Sequence, residues 1–327
     1  MAIRTVLTER FGLTWPIVLA PMAFVSGGAL ARAVTAAGGL GFVGGGYGDR
    51  DWLARELAAA GNGPVGVGFI TWSLARNPDL LALALDHAPR AVFLSFGDVR
   101  PFAARVKRQG VPLIAQVQSV EMAKAAAGEG ADFIVAQGTE AGGHGAARAT
   151  LPLVPAVVDA VGRVPVLAAG GIADGRGLAA ALMLGAVGVV CGTAFYVAEE
   201  SLAAPAAKAA AVEAGGGETG RSSVYDTVRG FDWPAPFDIR LVENPFISRW
   251  KRDGEGLGRN LLTERARYDR ALVESDLSVA AVIVGEAVDL VRAVEPAADI
   301  LARMGQGAEV LLSGAGALVG QAPGRAT

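Results

Sequence analysis

Few side chains in this sequence can carry a proton near neutral pH. Of 327 residues only two are histidines, and one, His144, stands near the end of the stretch VAQGTEAGGHGA, residues 135–146. The stretch reads as a buried strand that runs into a loop, with Glu140, Gly142 and Gly143 ahead of the imidazole. Glycines let a substrate come close, and imidazole titrates near pH 7, so His144 has the chemistry of a general acid or base, or of a donor to an anion. The other histidine, His87 in LLALALDHAPR, falls near a helix C-terminus on an outer wall, where the helix dipole explains it without catalysis. Cys191 lies mid-strand between valines and glycine with no base beside it, and reads as an inert buried thiol.

The elements that must position His144 repeat along the chain. Eight short apolar runs, IVLAPM, LGFVGG, VGVGFI, AVFLSF, PLIAQV, FIVAQG, PVLAAGG and VGVVCGT, begin at residues 17, 40, 65, 91, 112, 133, 165 and 187. Between them lie helical segments such as GALARAVTAAG, DWLARELAAAG and RPFAARVKRQG, most closed by the glycine expected just past a helix end. The runs are continuously apolar, as strands covered on both faces are. Strict alternation of this kind predicts an α/β fold, a (β/α)8 TIM barrel, for residues 1–198. Residues 199–276 change character: an Ala/Glu/Gly-rich stretch leads to a region holding Tyr225, Phe231, Trp233, Phe237, Phe246, Trp250 and Tyr268, read as a smaller, mainly helical lid inserted after the eighth strand. Residues 277–327 are expected to return to the barrel wall as helices, including one around Gly285 and a short one from Pro296 to Met304, and to end in a small-residue tail.

In such barrels chemistry collects at the C-terminal ends of the strands. Those ends are Ala20, Pro21 and Met22, Gly44 to Gly46, Gly68, Gln116, the loop from Gln137 through Gly142 and Gly143 to His144, Ala169, Gly170 and Gly171, and Gly192 with Thr193. Gly170, Gly171, Gly192 and Thr193 follow the seventh and eighth strands, where free backbone N–H groups hold a phosphate; tight turns alone would also explain the glycines. Gln116 and Gln137 offer amide groups suited to the edge of a flat heterocycle, and Met22 a soft surface for its face.

Other classes fit poorly. A net charge of −3 and no basic cluster argue against nucleic acid. An uncharged run, LAAALMLGAVGVVCGTAF, is long enough to cross a bilayer, but Gly185, Gly188 and Gly192 break it into helix, turn and strand. The spacing G-x-G-x-x-G at Gly39, Gly41 and Gly44 follows a helix and enters a strand, the reverse of a dinucleotide fingerprint. No metal motif is present, and a single cysteine with a charged N-terminal stretch leads to the expectation of a cytoplasmic protein.

LAPM, AQGTEAGGHGA, VLAAGGIADGRG and VVCGTAF together resemble the nitronate monooxygenase (2-nitropropane dioxygenase) family over roughly residues 17–195, with weaker support from DTVRGFDWPAP. The resemblance implies a TIM barrel with non-covalent FMN and oxidation of alkyl nitronates, such as propionate 3-nitronate, by O₂ to a carbonyl compound and nitrite. It implies His144 as the catalytic histidine; Ala20, Pro21, Met22, Gly68, Gln116, Gln137, Gly142 and Gly143 as flavin contacts; and Ala169, Gly170, Gly171, Gly192 and Thr193 around the phosphate. The partners implied are a small nitronate and O₂; a homodimer is one assembly open to the chain, and the sequence leaves the oligomeric state undecided. Two positions depart from the pattern: VGVGFITW replaces a third strand ending in asparagine, and Gln116 stands where some relatives carry lysine. FMN-dependent NAD(P)H reductases of quinones or of enoyl-acyl-carrier proteins resemble the same barrel and loop, and are the alternative.

Overall fold

A computed structural model describes residues 3–61 and 63–318. The part of the small-residue tail beyond residue 318 lies outside them. Eleven strands are present among the described residues: β1 (Ile17–Leu19), β2 (Phe42–Gly44), β3 (Gly66–Ile70), β4 (Val92–Ser95), β5 (Leu113–Val117), β6 (Phe133–Gln137), β7 (Gly143–Gly145), β8 (Val166–Ala169), β9 (Val189–Cys191), β10 (Thr219–Ser222) and β11 (Asp238–Val242). Eight of them form one parallel sheet in the order β1-β9-β8-β6-β5-β4-β3-β2. A parallel bridge between Val18 and Leu40 brings its two edges together, with the Leu19 N–H donating to the Leu40 carbonyl at 2.9 Å. The result is a TIM barrel, and each of its strands falls inside one of the eight apolar runs.

Strand periodicity explains both the core and the site. Alternate residues point into the bore: Val18, Leu40, Phe42, Phe93, Ile114, Phe133, Val135, Leu167 and Val190 form an inner cluster. Their neighbours, Val92, Leu94, Leu113, Ala115, Ile134 and Ala168 among them, face the helices in an outer one. Leu7 and Phe11, from helix Val6–Phe11, join the inner cluster, and Phe11 packs 5.6 Å from Phe133 at the start of β6. That helix therefore plugs the N-terminal end of the barrel. Its start is set by Thr5 and Thr8, which cap each other's backbone N–H. Further helices start the same way: Asp49 accepts from Trp52 N–H, Ser119 from Met122 N–H and Asp174 from Gly177 N–H.

Outside the barrel the chain departs from the sequence expectation in three places. Residues 199–276 hold helices Pro205–Glu213, Val224–Arg229, Pro245–Trp250, Gly254–Arg259 and Leu261–Glu274, but also strands β10 and β11, which pair antiparallel and continue onto β7. A third cluster, built on Tyr225, Ile239, Leu241, Phe246, Trp250 and Tyr268, serves this region. The helix expected around Gly285 does not form. Residues 277–284 lack helix, and only a 3₁₀ turn, Glu286–Leu290, follows. Their backbone is used elsewhere: the Val242 N–H donates to the Val282 carbonyl and the Glu286 N–H to the Glu140 carbonyl. A Cβ on Gly285 would stand 2.4 Å from the Glu140 carbonyl oxygen, so the segment threads tightly past the His144 loop. The last helix, Ala297–Gly314, is longer than expected; in it Gly305 makes room for the Trp15 ring and Gly307 packs on Gly175.

Gly41 shows the close packing of helix on barrel at the end away from the rim. A Cβ there would lie 1.8 Å from the backbone carbonyl oxygen of Ala31 in helix Gly28–Ala36. Gly39, Gly41 and Gly44 thus serve packing. Gly41→Ala should destabilise the fold by ~3 kcal/mol, read as a lower urea midpoint at unchanged slope; an unchanged midpoint would contradict this packing.

Candidate functional site

The inward register that fills the bore continues upward into a cavity. From β4 it passes from Phe93 to Ser95, from β5 Ile114 to Gln116, from β6 Val135 to Gln137, and from β8 Leu167 to Ala169, so each strand supplies core below and site above. About 1100 Å³ free of protein atoms, part of it open to solvent, is bounded by these residues and by the loops after them. Ala20, Pro21, Met22, Gln116, Gln137, Gly142, Gly143, His144, Ala169, Gly170, Gly171, Gly192 and Thr193 all line it. Gly68 does not. It faces inward, but Pro21 lies over it where a Cβ would meet the Pro21 ring at 2.2 Å, so its missing side chain seats Pro21.

The loop carrying His144 is held from several sides. Gly143 adopts φ +74°, a left-handed conformation that suits glycine, and β7 then pairs with β11, placing His144 opposite Ile239. At the loop's start two guanidinium groups donate to one carbonyl oxygen, Thr139 O: Arg221 at 3.0 Å and Arg240 at 2.9 Å. Arg221 also pairs with Asp238 and Arg240 with Glu286, both at salt-bridge distance. Glu140 accepts from Thr150 N–H and from its hydroxyl at 2.7 Å. Gln137, expected to meet a heterocycle, spends its amide on the loop: its Nε2 donates to the His144 carbonyl at 3.1 Å, while its Oε1 accepts from Gln118 at 2.7 Å.

His144 is buried, and its Nε2 lies 2.9 and 3.0 Å from the two carboxylate oxygens of Asp226, itself buried. Burial pulls the imidazole pKa below its usual value, and the Asp226 carboxylate only partly opposes that. That shift favours the neutral form, in which Nε2–H donates to Asp226. Nδ1 is left as a lone pair with no hydrogen bond among the described residues, in a side chain that lines the cavity. Asp226 sits in the first turn of helix Val224–Arg229, where the dipole favours an anion.

Aromatic rings roof the imidazole. Trp233 stacks on it at 3.4 Å and 7°, and Phe96 meets it edge-on at 6.3 Å. Tyr47 stacks on Phe231 at 3.7 Å, and Arg229 lies over both rings at 5.4 and 4.6 Å. Burial pushes the Tyr47 phenol up to about 12, so it stays neutral. Of the aromatic region, Trp233 and Ile239 line the cavity, whereas Phe246 and Trp250 belong to the outlying cluster. Sequence reading did not single out Asp226, Arg229, Tyr47 or Phe96 as site residues. Phe96 carries a trace of its role: it closes an apolar run and takes a left-handed φ of +60°. His87 is exposed, with Nδ1 on the Leu83 carbonyl, and Cys191 is buried with a thiol pushed up to about 12. Among the described residues no group of three or more His, Cys, Asp or Glu is placed to hold a metal ion, and no helix is long and apolar enough to cross a membrane.

On the far side of the cavity, Gly170 and Gly171 have φ of +101° and +72°. No acceptor among the described residues takes their N–H groups or that of Gly192. A Cβ on Gly170 would meet the Thr150 hydroxyl at 2.8 Å, so the turn is open only to glycine. Unpaired N–H groups on a crowded, side-chain-free turn have the chemistry of an anion cradle.

The nitronate monooxygenase family model matches residues 4–71 and 75–306. The nitronate monooxygenase npaC of Metarhizium robertsii is 36% identical over 336 residues, 91% of this chain and 92% of that protein. Among solved structures, FabK from Thermotoga maritima superposes with a TM-score of 0.86 at 28% identity, over 97% of this chain and 100% of that one. A nitroalkane oxidase from Streptomyces ansochromogenes does so with a TM-score of 0.80 at 28% identity, over 96% and 99%. The chain belongs to the nitronate monooxygenase family of flavin-dependent oxidoreductases.

Proposed function

We propose that this enzyme uses FMN to oxidise alkyl nitronates, propionate 3-nitronate among them, with O₂ to a carbonyl compound and nitrite, and that His144 converts a neutral nitroalkane to the nitronate by taking its α-proton. The lining of the cavity supports this cofactor. The free N–H groups of Gly170, Gly171 and Gly192, with Ala169 and Thr193, would hold its phosphate, and Ala20, Pro21, Met22, Gln116, Gly142 and Gly143 would border its ring system. Gln137 would contribute indirectly, by fixing the His144 backbone. When bound, the flavin supplies the electron transfer.

One observation carries the assignment of His144: its Nε2–H is committed to Asp226, so a basic Nδ1 is what a substrate would meet. A neutral nitroalkane would lose its α-proton to that nitrogen, and the imidazolium formed would be stabilised at once by the carboxylate behind it. The rings of Trp233 and Phe96 exclude water around the transfer. Residues 199–276 act in this reading as a lid over a barrel formed by residues 1–198, with residues 277–327 returning to its wall; Asp226 and Trp233 are what the lid brings to the chemistry. With one cysteine and no possible intrachain disulfide, the chain suits the reducing cytoplasm. An NAD(P)H-driven reductase has less support, because Arg229 is the only Lys or Arg lining the cavity among the described residues, a poor match to a dinucleotide's phosphates.

Oxygen uptake by the flavin-loaded enzyme with propionate 3-nitronate, matched by nitrite release, is the expected outcome; fast reduction by NADH with no nitronate turnover would sink the reading. His144→Ala should lower turnover of a neutral nitroalkane ~100-fold or more and that of the pre-formed nitronate much less; equal losses would exclude the base role. Asp226 raises the His144 pKa, so Asp226→Asn lowers it further. The neutral base then survives to lower pH, and the acid limb of kcat/KM for a nitroalkane should move to lower pH, while its plateau falls ~10-fold or more as the imidazolium loses its counter-charge. A limb shifted upward would refute the arrangement.

A further inference from the structure

We propose that Arg229 sets the specificity of this site by binding a carboxylate at the end of the substrate remote from the carbon that faces His144. The proposal rests on the nitronate reading above and adds the residue that selects among nitronates. Arg229 ends helix Val224–Arg229, three residues after Asp226, so the helix turn that sends Asp226 to His144 sends Arg229 to the same cavity. Arg229 is partly buried, and its guanidinium lies over Phe231 and Tyr47 at 4.6 and 5.4 Å. No carboxylate among the described residues lies within salt-bridge distance of it, in contrast to Arg221 and Arg240 a few residues along, each held by an acidic partner. A cation kept inside an aromatic cavity without a counter-ion has an unmet electrostatic demand that a substrate anion meets.

A second donor borders the same cavity. The Trp233 indole N–H is buried near the Tyr47 hydroxyl but makes no well-formed hydrogen bond, although its ring is fixed flat against His144. The chemistry on offer is one planar fork and one N–H, which matches a single carboxylate. A diphosphate would need further cations, and no other Lys or Arg among the described residues lines the cavity. The favoured substrate therefore carries two anionic ends, the nitronate beside His144 and the carboxylate at Arg229.

Two measurements on the full-length, flavin-loaded protein test this. In the first, succinate and butyrate serve as inert probes that share one carboxylate and differ in the second, with binding read by calorimetry. The wild type should prefer succinate by a factor on the order of 10 to 100, Arg229→Gln should abolish that preference, and Arg229→Lys should keep part of it. In the second, the ratio of kcat/KM for propionate 3-nitronate over propyl-1-nitronate should fall by a similar factor in Arg229→Gln, through KM. If the wild type does not distinguish the two acids, or Arg229→Gln still does, the proposal is overturned. If it distinguishes them through Arg229 yet oxidises neither nitronate, the carboxylate site stands and the nitronate reading falls.

Discussion

A carboxylate buried against a neutral imidazole is the constraint around which this molecule is built. Asp226 and His144 stand 82 residues apart in the chain, and neither is tolerable alone where it lies: the acid would be an unpaired charge in a dry interior, the imidazole an unsatisfied N–H. Their contact therefore ties the region after the barrel to the loop after β6. The β7–β11 pairing, the two guanidinium groups on Thr139 O and the clamp of Thr150 on Glu140 all hold the loop in the one position that allows it. The antiparallel sheet carries His144 on its β7 strand and so fixes where the imidazole stands.

Irregular backbone gathers at this rim. Phe96, Gly143, Gly170 and Gly171 all have positive φ, and for Phe96 that conformation costs about 1–2 kcal/mol. The barrel beneath is regular, with short strands in uninterrupted register. A regular, closely packed base supports strain at its edge.

Much of this was legible in the residues. The eight strands announced themselves as continuous apolar runs because both faces are covered, and the strand ends named the cavity because side chains alternate inward and outward. What escaped had no local signature. Asp226 looks like any acid early in a helix until the chain folds back on His144. Arg229 and Tyr47 meet only because Phe231 stacks between distant loops. Strands β10 and β11 are short and hold charged residues such as Arg221, Asp238 and Arg240, so no apolar alternation marked them. The apolar stretch near Gly285 suggested a helix by composition alone, whereas its glycine had been placed to slide past the His144 loop. Gly68 was at the right height on the right face, yet Pro21 occupies the space in front of it.

The stopper formed by Leu7 and Phe11 has a kinetic meaning as well as a structural one. With the bottom of the bore corked and its middle filled, the cavity is a cul-de-sac. Whatever binds in it has to enter and leave on the rim side, so each departing molecule must clear that opening before the next can enter.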